Sequence, residues 1–107
     1  MFHTMGEVRE ANRAIGHHFF DGKTLGFFGS RIGRTLYGGR YFVTSEDNWD
    51  KTARGWTVRE VDWDGRIGTV GGFLAYSSHK EARAEAKRLA TPRAWVPGTA
   101  TTPSRPA

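Results

Sequence analysis

The sequence predicts a small α+β domain: short N-terminal helices, a three- to four-stranded antiparallel sheet, and one C-terminal helix packed on the sheet. Apolar residues follow helical spacing before residue 34, alternate in hairpin-like segments from residue 35, and return to helical spacing after residue 78. The length of 107 residues limits the chain to one domain. We assign residues 1–90 to this domain and residues 91–107, which hold all 4 prolines, to a flexible tail.

Two short helices are predicted first. One ends at Gly16, because apolar residues recur at helical spacing before that glycine, at Val8, Ala11 and Ile15. The other covers residues 23–32, between the N-cap Asp21 and a terminating Gly33. Its apolar face consists of Leu25, Phe28 and Ile32.

Two hairpins are predicted next. The predicted strands cover residues 40–44, 56–63 and 66–73. Gly38-Gly39 forms a tight turn after Leu36-Tyr37, and Asp64-Gly65 forms a two-residue turn between the last two strands. The acidic residues 45–50 predict a loop, and glycines in the last strand indicate a bulge or a close packing contact.

The C-terminal helix has the clearest signals. Ser78 and Glu81 fit a capping box, and Pro92 ends the helix. Small apolar residues form a narrow stripe that suits close packing on a sheet, namely Ala82, Ala86, Leu89 and Ala90.

Composition excludes several classes of protein. The chain has no cysteine, so disulfides, thiolate metal sites, iron–sulfur clusters and cysteine nucleophiles are excluded, and a reducing cytoplasm fits best. No apolar run approaches the ~20 residues of a membrane span, and the N-terminus lacks the pattern of a signal peptide. We therefore expect neither membrane insertion nor secretion.

No catalytic, cofactor or metal site is predicted, and we expect the protein not to be an enzyme. The four histidines lack metal-ligand spacing, and Ser30 lacks the frame of a nucleophile elbow. The glycines of residues 26–33 lack the lysine and the preceding strand of a P-loop. The carboxylate pairs Glu46/Asp47 and Asp62/Asp64 are interpreted as solvated loop residues.

The strongest functional signal is a set of basic residues interleaved with aromatic ones. The chain carries a formal charge of +5, and no acid occurs between Lys23 and Arg40. The predicted partner-binding residues are Arg31, Arg34, Arg40, Phe27, Tyr37 and Tyr41. A secondary basic strip on the last helix consists of Lys80, Arg83 and Lys87. Two other interpretations stay open: the rings form the core, and the arginines pair with acids such as Glu46, Asp47 and Asp50.

Five segments together carry a resemblance to a known group of proteins. They are HHFFD (17–21), FFGSR (27–31), YGGRYFVTSE (37–46), TVREV (57–61) and GRIGTVG (65–71). Over about residues 10–90, the chain resembles short uncharacterised proteins of tailed bacteriophages and prophages, notably of high-GC bacteria. The resemblance implies an accessory protein of the host cytoplasm and carries over no catalytic or binding residue.

Two functional hypotheses follow. In the first, the protein is a non-catalytic accessory protein that docks on a host protein or protein–nucleic acid complex, such as a CRISPR-Cas defence complex, and inhibits or modulates it. This hypothesis expects an exposed aromatic patch. The alternative is a basic accessory protein that binds nucleic acid through its arginines. The sequence does not specify an oligomeric state.

Overall fold

Three helices and four strands make up the described residues, 2–48 and 50–91, of the computed structural model. In chain order they are α1 (Met5–Ala14), α2 (Gly22–Phe27), β1 (Arg31–Ile32), β2 (Tyr41–Asp47), β3 (Arg54–Val61), β4 (Ile67–Val70) and α3 (His79–Ala90). This order confirms the predicted α+β class. The predicted tail lies outside the described residues from residue 92 onward.

One antiparallel sheet in the order β1-β2-β3-β4 organises the fold. β2 and β3 form its longest ladder, from Tyr41 opposite Glu60 to Asp47 opposite Arg54. Successive residues of a strand point to opposite faces. Along β2, Val43 therefore faces α3, whereas its neighbour Phe42 faces α1. The sheet thus separates two cores.

The first core lies between the sheet and α3. Val43 and Val58 pack against Ala82 and Ala86 of α3, and all four residues are buried. Alanine side chains are short, so the helix lies close to the sheet, as the predicted stripe requires. The serine half of the predicted capping box is confirmed, because Oγ of Ser78 accepts a hydrogen bond from the backbone N–H of Glu81 at 3.2 Å. The Glu81 carboxylate accepts from the backbone N–H of Ser77 rather than from that of Ser78.

The second core lies between the opposite face and α1, where Val8, Phe42 and Val61 are buried. The buried Asn12 of α1 connects this core to the surrounding loops. Its Oδ1 accepts from the backbone N–H of Phe19 at 2.8 Å, and its Nδ2 donates to the carbonyl oxygen of Gly65 at 2.9 Å. Because a buried amide without partners is costly, these hydrogen bonds fix α1 on the sheet.

The prediction of a helix over residues 23–32 is wrong in its second half. α2 ends at Phe27, and Gly29 adopts a φ of +59°, which a right-handed helix does not contain. Arg31 and Ile32 are extended and pair with β2, so Leu25, Phe28 and Ile32 do not share one helical face. Backbone pairing with the sheet outweighs the helical spacing of these residues.

The prediction of a loop over residues 45–50 is also wrong in part. β2 continues through Ser45, Glu46 and Asp47, and Glu46 is only 1% exposed. The strand tolerates these acids because β3 supplies their counter-ions: Arg59 pairs with Glu46 and Arg54 pairs with Asp47. The interpretation of Glu46 as a solvated loop residue is therefore corrected.

Both predicted turns are present with different lengths. Tyr37 and Tyr41 exchange two backbone hydrogen bonds and close a loop of three residues. Two of these residues are Gly38 and Gly39, both with positive φ. The backbone N–H of Asp62 donates to the carbonyl oxygen of Arg66, so the loop between them has three residues rather than the two predicted. Gly65, in this loop, has a φ of +106°. The last strand ends at Val70 rather than at residue 73.

Replacing Gly65 by valine should destabilise the fold by at least ~2 kcal/mol, because positive φ disfavours a β-branched residue and the site is overpacked. A Cβ at this position would lie 2.7 Å from the carbonyl carbon of Ala11. Urea denaturation of both variants checks this, with Gly68→Val as the matched control. Gly68 lies in the same hairpin, and a Cβ there meets nothing within 4 Å. Equal unfolding free energies for the two variants would contradict the packing of this turn on α1.

Candidate functional site

The three predicted arginines do not converge. Arg31 lies opposite Ser45 on the edge strand β1, whereas Arg40 precedes β2 at its other end. The strand rise of ~3.3 Å per residue separates these positions along β2 by roughly 17 Å. Arg40 is also paired, with its Nε 2.7 Å from Oε2 of Glu60. The pairing interpretation therefore holds for Arg40, although with a different acid from those expected.

The three predicted aromatic residues do not form one patch either. Tyr37 and Tyr41 are half-buried and pack against the core beneath α3. Phe27, on α2, is 64% exposed and lies beside Arg59, on the other face of the sheet. Trp63, which no pattern singled out, is 90% exposed at the tip of the β3–β4 turn.

A third grouping brings together members of both predicted sets. We call it the basic surface, and it consists of Arg34, Tyr37, His79, Lys80, Arg83 and Lys87. Two depressions of about 320 and 420 Å³ adjoin there and share Tyr37 and Arg83 as lining residues. The secondary strip on α3 thus lies beside Arg34 and Tyr37, whereas Arg31 and Arg40 line neither depression.

The basic surface keeps its positive charge because the nearby acids are engaged elsewhere. Glu81 accepts hydrogen bonds from Ser77 at the start of α3. Glu85 accepts from Nε of Arg88 at 2.8 Å, and this hydrogen bond holds the pKa of the Glu85 carboxyl below its usual range. Within residues 2–48 and 50–91, no carboxylate lines either depression and none pairs with the four lysines and arginines of the surface.

A buried ion pair, missed at the sequence level, lies on the opposite face of the sheet. Nη2 of Arg59 is 3.0 Å from Oε2 of Glu46, and the Arg59 side chain is 12% exposed. Glu46 also accepts hydrogen bonds from Ser30 and Thr57. Alternation of Phe42, Thr44 and Glu46 on one strand face is the sequence signal that could have revealed it, had the predicted strand continued past residue 44.

The Arg59 guanidinium also contacts neighbouring elements of the fold. Its Nε donates to Thr44 at 3.1 Å and its Nη1 donates to Thr69 at 2.7 Å. Its Cζ lies 5.2 Å from the ring centroid of Phe19 and 5.7 Å from that of Phe73. An aromatic depression of about 500 Å³ opens beside it.

The described part of the chain, residues 2–48 and 50–91, contains no group of three or more histidine or acidic side chains that could hold a metal ion. None of the helices in this part is long and apolar enough to cross a membrane.

Fold and surfaces together define a small α+β domain with one basic helix face. The chain belongs to a family of unknown function (DUF7447), whose profile matches residues 4–87. No curated protein and no solved structure matches the chain significantly. The resemblance to phage proteins stays a prediction.

Replacing Arg59 by methionine should lower the free energy of unfolding by ~3–5 kcal/mol, because it leaves the Glu46 carboxylate buried without its counter-ion. The double variant Glu46→Gln/Arg59→Met removes that charge and should regain at least ~1 kcal/mol of the loss. Urea denaturation of the two single variants and the double variant completes the cycle. Strict additivity of the two substitutions would show that the pair is not coupled.

Proposed function

We propose that this protein is a non-catalytic binding protein that holds nucleic acid by its phosphate backbone. The observation that carries the proposal is the basic surface, where Arg34 and the strip on α3 surround Tyr37 with no lining acid among the described residues. Arginine and lysine are the side chains that most often contact phosphate oxygens. A non-catalytic role agrees with the lack of a nucleophile motif in the sequence.

The spacing of the α3 strip suits a row of phosphates. At 100° per residue, Lys80, Arg83 and Lys87 lie within about 60° of one another around the helix. The strip extends over about 10 Å of helix axis, from the 1.5 Å rise per residue. Phosphates of one strand follow each other at 3.4 Å along a duplex axis, so a strip of about 10 Å spans about three such steps and its three cations lie within reach of about four successive phosphates.

The character of the surface favours nucleic acid over an acidic protein face. Protein–protein interfaces place apolar and aromatic anchors at their centres and are depleted in lysine. Here the central ring, Tyr37, is half-buried under α3, and two of the four charged residues that flank it are lysines. A phosphate backbone requires charge at regular spacing and no apolar anchor.

The biological context of the proposal comes from the resemblance to phage accessory proteins. It suggests that the bound nucleic acid belongs to host machinery, for example the guide RNA or target DNA of a CRISPR-Cas complex, which the protein would inhibit or modulate. The host cytoplasm is the proposed place of action, supported by the cysteine-free composition.

Binding of labelled single-stranded and duplex oligonucleotides should weaken steeply with salt. Four phosphate contacts predict a slope of log K against log salt near −3 for a single strand, at about −0.7 per contact. Replacing Lys80, Arg83 and Lys87 together by glutamine should reduce the slope to about −0.7 and weaken binding roughly 100-fold, at about 1 kcal/mol per contact. Fluorescence anisotropy across a salt series measures both quantities.

A matched control removes the same charge elsewhere. Arg13, Lys23 and Lys51 are exposed and form no ion pair with a described residue, so their triple glutamine variant loses equal charge without touching the basic surface. This control should retain most of the affinity and the slope. Equal losses of affinity in both triple variants would show that net charge, rather than the basic surface, determines binding, and this would contradict the proposal. Wild-type protein that binds neither oligonucleotide would also overturn it.

A further inference from the structure

The aromatic depression beside Arg59 is a second site, on the opposite face of the sheet from the basic surface. We call it the aromatic pocket. Its lining residues are Phe19, Lys23, Thr24, Leu25, Phe27, Phe28, Ser30, Arg59 and Phe73. A volume of about 500 Å³ lies within the range of small-molecule sites, ~300–1,000 Å³.

Aromatic rings from separate parts of the chain form its walls. Phe28 contacts Phe27 at 4.5 Å and Phe73 at 5.3 Å between ring centroids. Phe73 reaches this position because β4 stops pairing at Val70 and the chain pairs again only at Tyr76, opposite Trp56. The intervening residues 71–75 leave the ladder, and Phe73 among them lines the pocket.

The two charged residues that line the pocket, Arg59 and Lys23, are both cations and only donate hydrogen bonds. Arg59 forms hydrogen bonds to three side chains, Thr44, Thr69 and Glu46, whereas a guanidinium carries about five N–H groups. Lys23 is exposed at the rim and pairs with no acid of the described chain. Glu46, the carboxylate behind Arg59, is 1% exposed and does not line the pocket.

We propose that the aromatic pocket binds an aromatic carboxylate. The flat ring packs among the phenylalanines, and the carboxylate accepts hydrogen bonds from Arg59 and Lys23. A carboxylate suits this place because it is an anion that only accepts hydrogen bonds, whereas both charged residues of the lining are cations that only donate them. A neutral arene would bury guanidinium N–H groups without an acceptor, and a cationic arene would be repelled by both side chains.

The full chain should bind 2-naphthoate at least ~10-fold more tightly than 2-naphthamide, its neutral analogue of the same shape. Isothermal titration calorimetry measures the two affinities, and amide chemical shifts place the ligand. The shifts should change around α2 and at residues 71–75, and not along α3. Equal affinities for the two compounds, or shifts centred on α3, would overturn the proposal.

Two exposed residues allow variants that keep the fold. Lys23→Gln should weaken naphthoate binding about tenfold and leave naphthamide binding unchanged, since it removes one charge from the rim. Phe27→Ala should weaken the binding of both compounds, because it removes part of the apolar wall of the pocket. Lys80→Gln, on the other face, should change neither affinity. Naphthoate affinity that depends on Lys80 rather than on Lys23 would assign the ligand to the basic surface and overturn the pocket.

Discussion

The buried ion pair between Glu46 and Arg59 is the constraint on which the α1 face of this fold depends. Two charges removed from water are tolerated only where further hydrogen bonds satisfy them. Ser30, before β1, and Thr57, on β3, donate to the carboxylate, while Thr69 on β4 accepts from the guanidinium. One ionic cluster therefore connects β2, β3 and β4 with the residue that precedes β1. Any strand register that moves Glu46 away from Arg59 leaves a buried charge unpaired, so the cluster also specifies the register.

The two faces of the sheet are covered by different elements. On the α3 face, Ala82 and Ala86 pack directly on Val43 and Val58, and all four residues are buried. On the other face, α1 packs through Val8 on Phe42 and Val61, whereas the guanidinium of Arg59 lies against the rings of Phe19 and Phe73. The rings that cover the polar cluster leave a concave aromatic site, whereas the packing of α3 on the sheet leaves the charged side chains of that helix on the outer surface.

The predictability of each element depended on how local its determinants are. The boundaries and buried stripe of α3 follow from a capping serine and from alanines within the same helix, so the sequence alone predicts them. The end of β2 does not, because Glu46 is buried only when Arg59, which is 13 residues away, lies beside it. The second half of the predicted helix is wrong for a similar reason. Residues 31–32 pair with residues 44–45, and the local spacing of apolar residues carries no information about that distant strand. Among the candidate site residues, the α3 strip was visible as a helical pattern, whereas its association with Arg34 and Tyr37 depends on tertiary packing.

The pairing of acids also explains why a modest net charge gives one markedly basic surface. Four arginines are neutralised by carboxylates close to the sheet or on its turns, namely Arg40, Arg54, Arg59 and Arg66. The positive excess is therefore left to residues outside these pairs, and four of them gather at Arg34 and along one side of α3. On that helix, Arg88 matches Glu85 and the capping role of Glu81 directs its carboxylate toward Ser77. The same ion pairs that stabilise the strands and the helix thus leave four unpaired cations together on the basic surface, which attracts an anionic partner more strongly than these four charges spread evenly over the domain would.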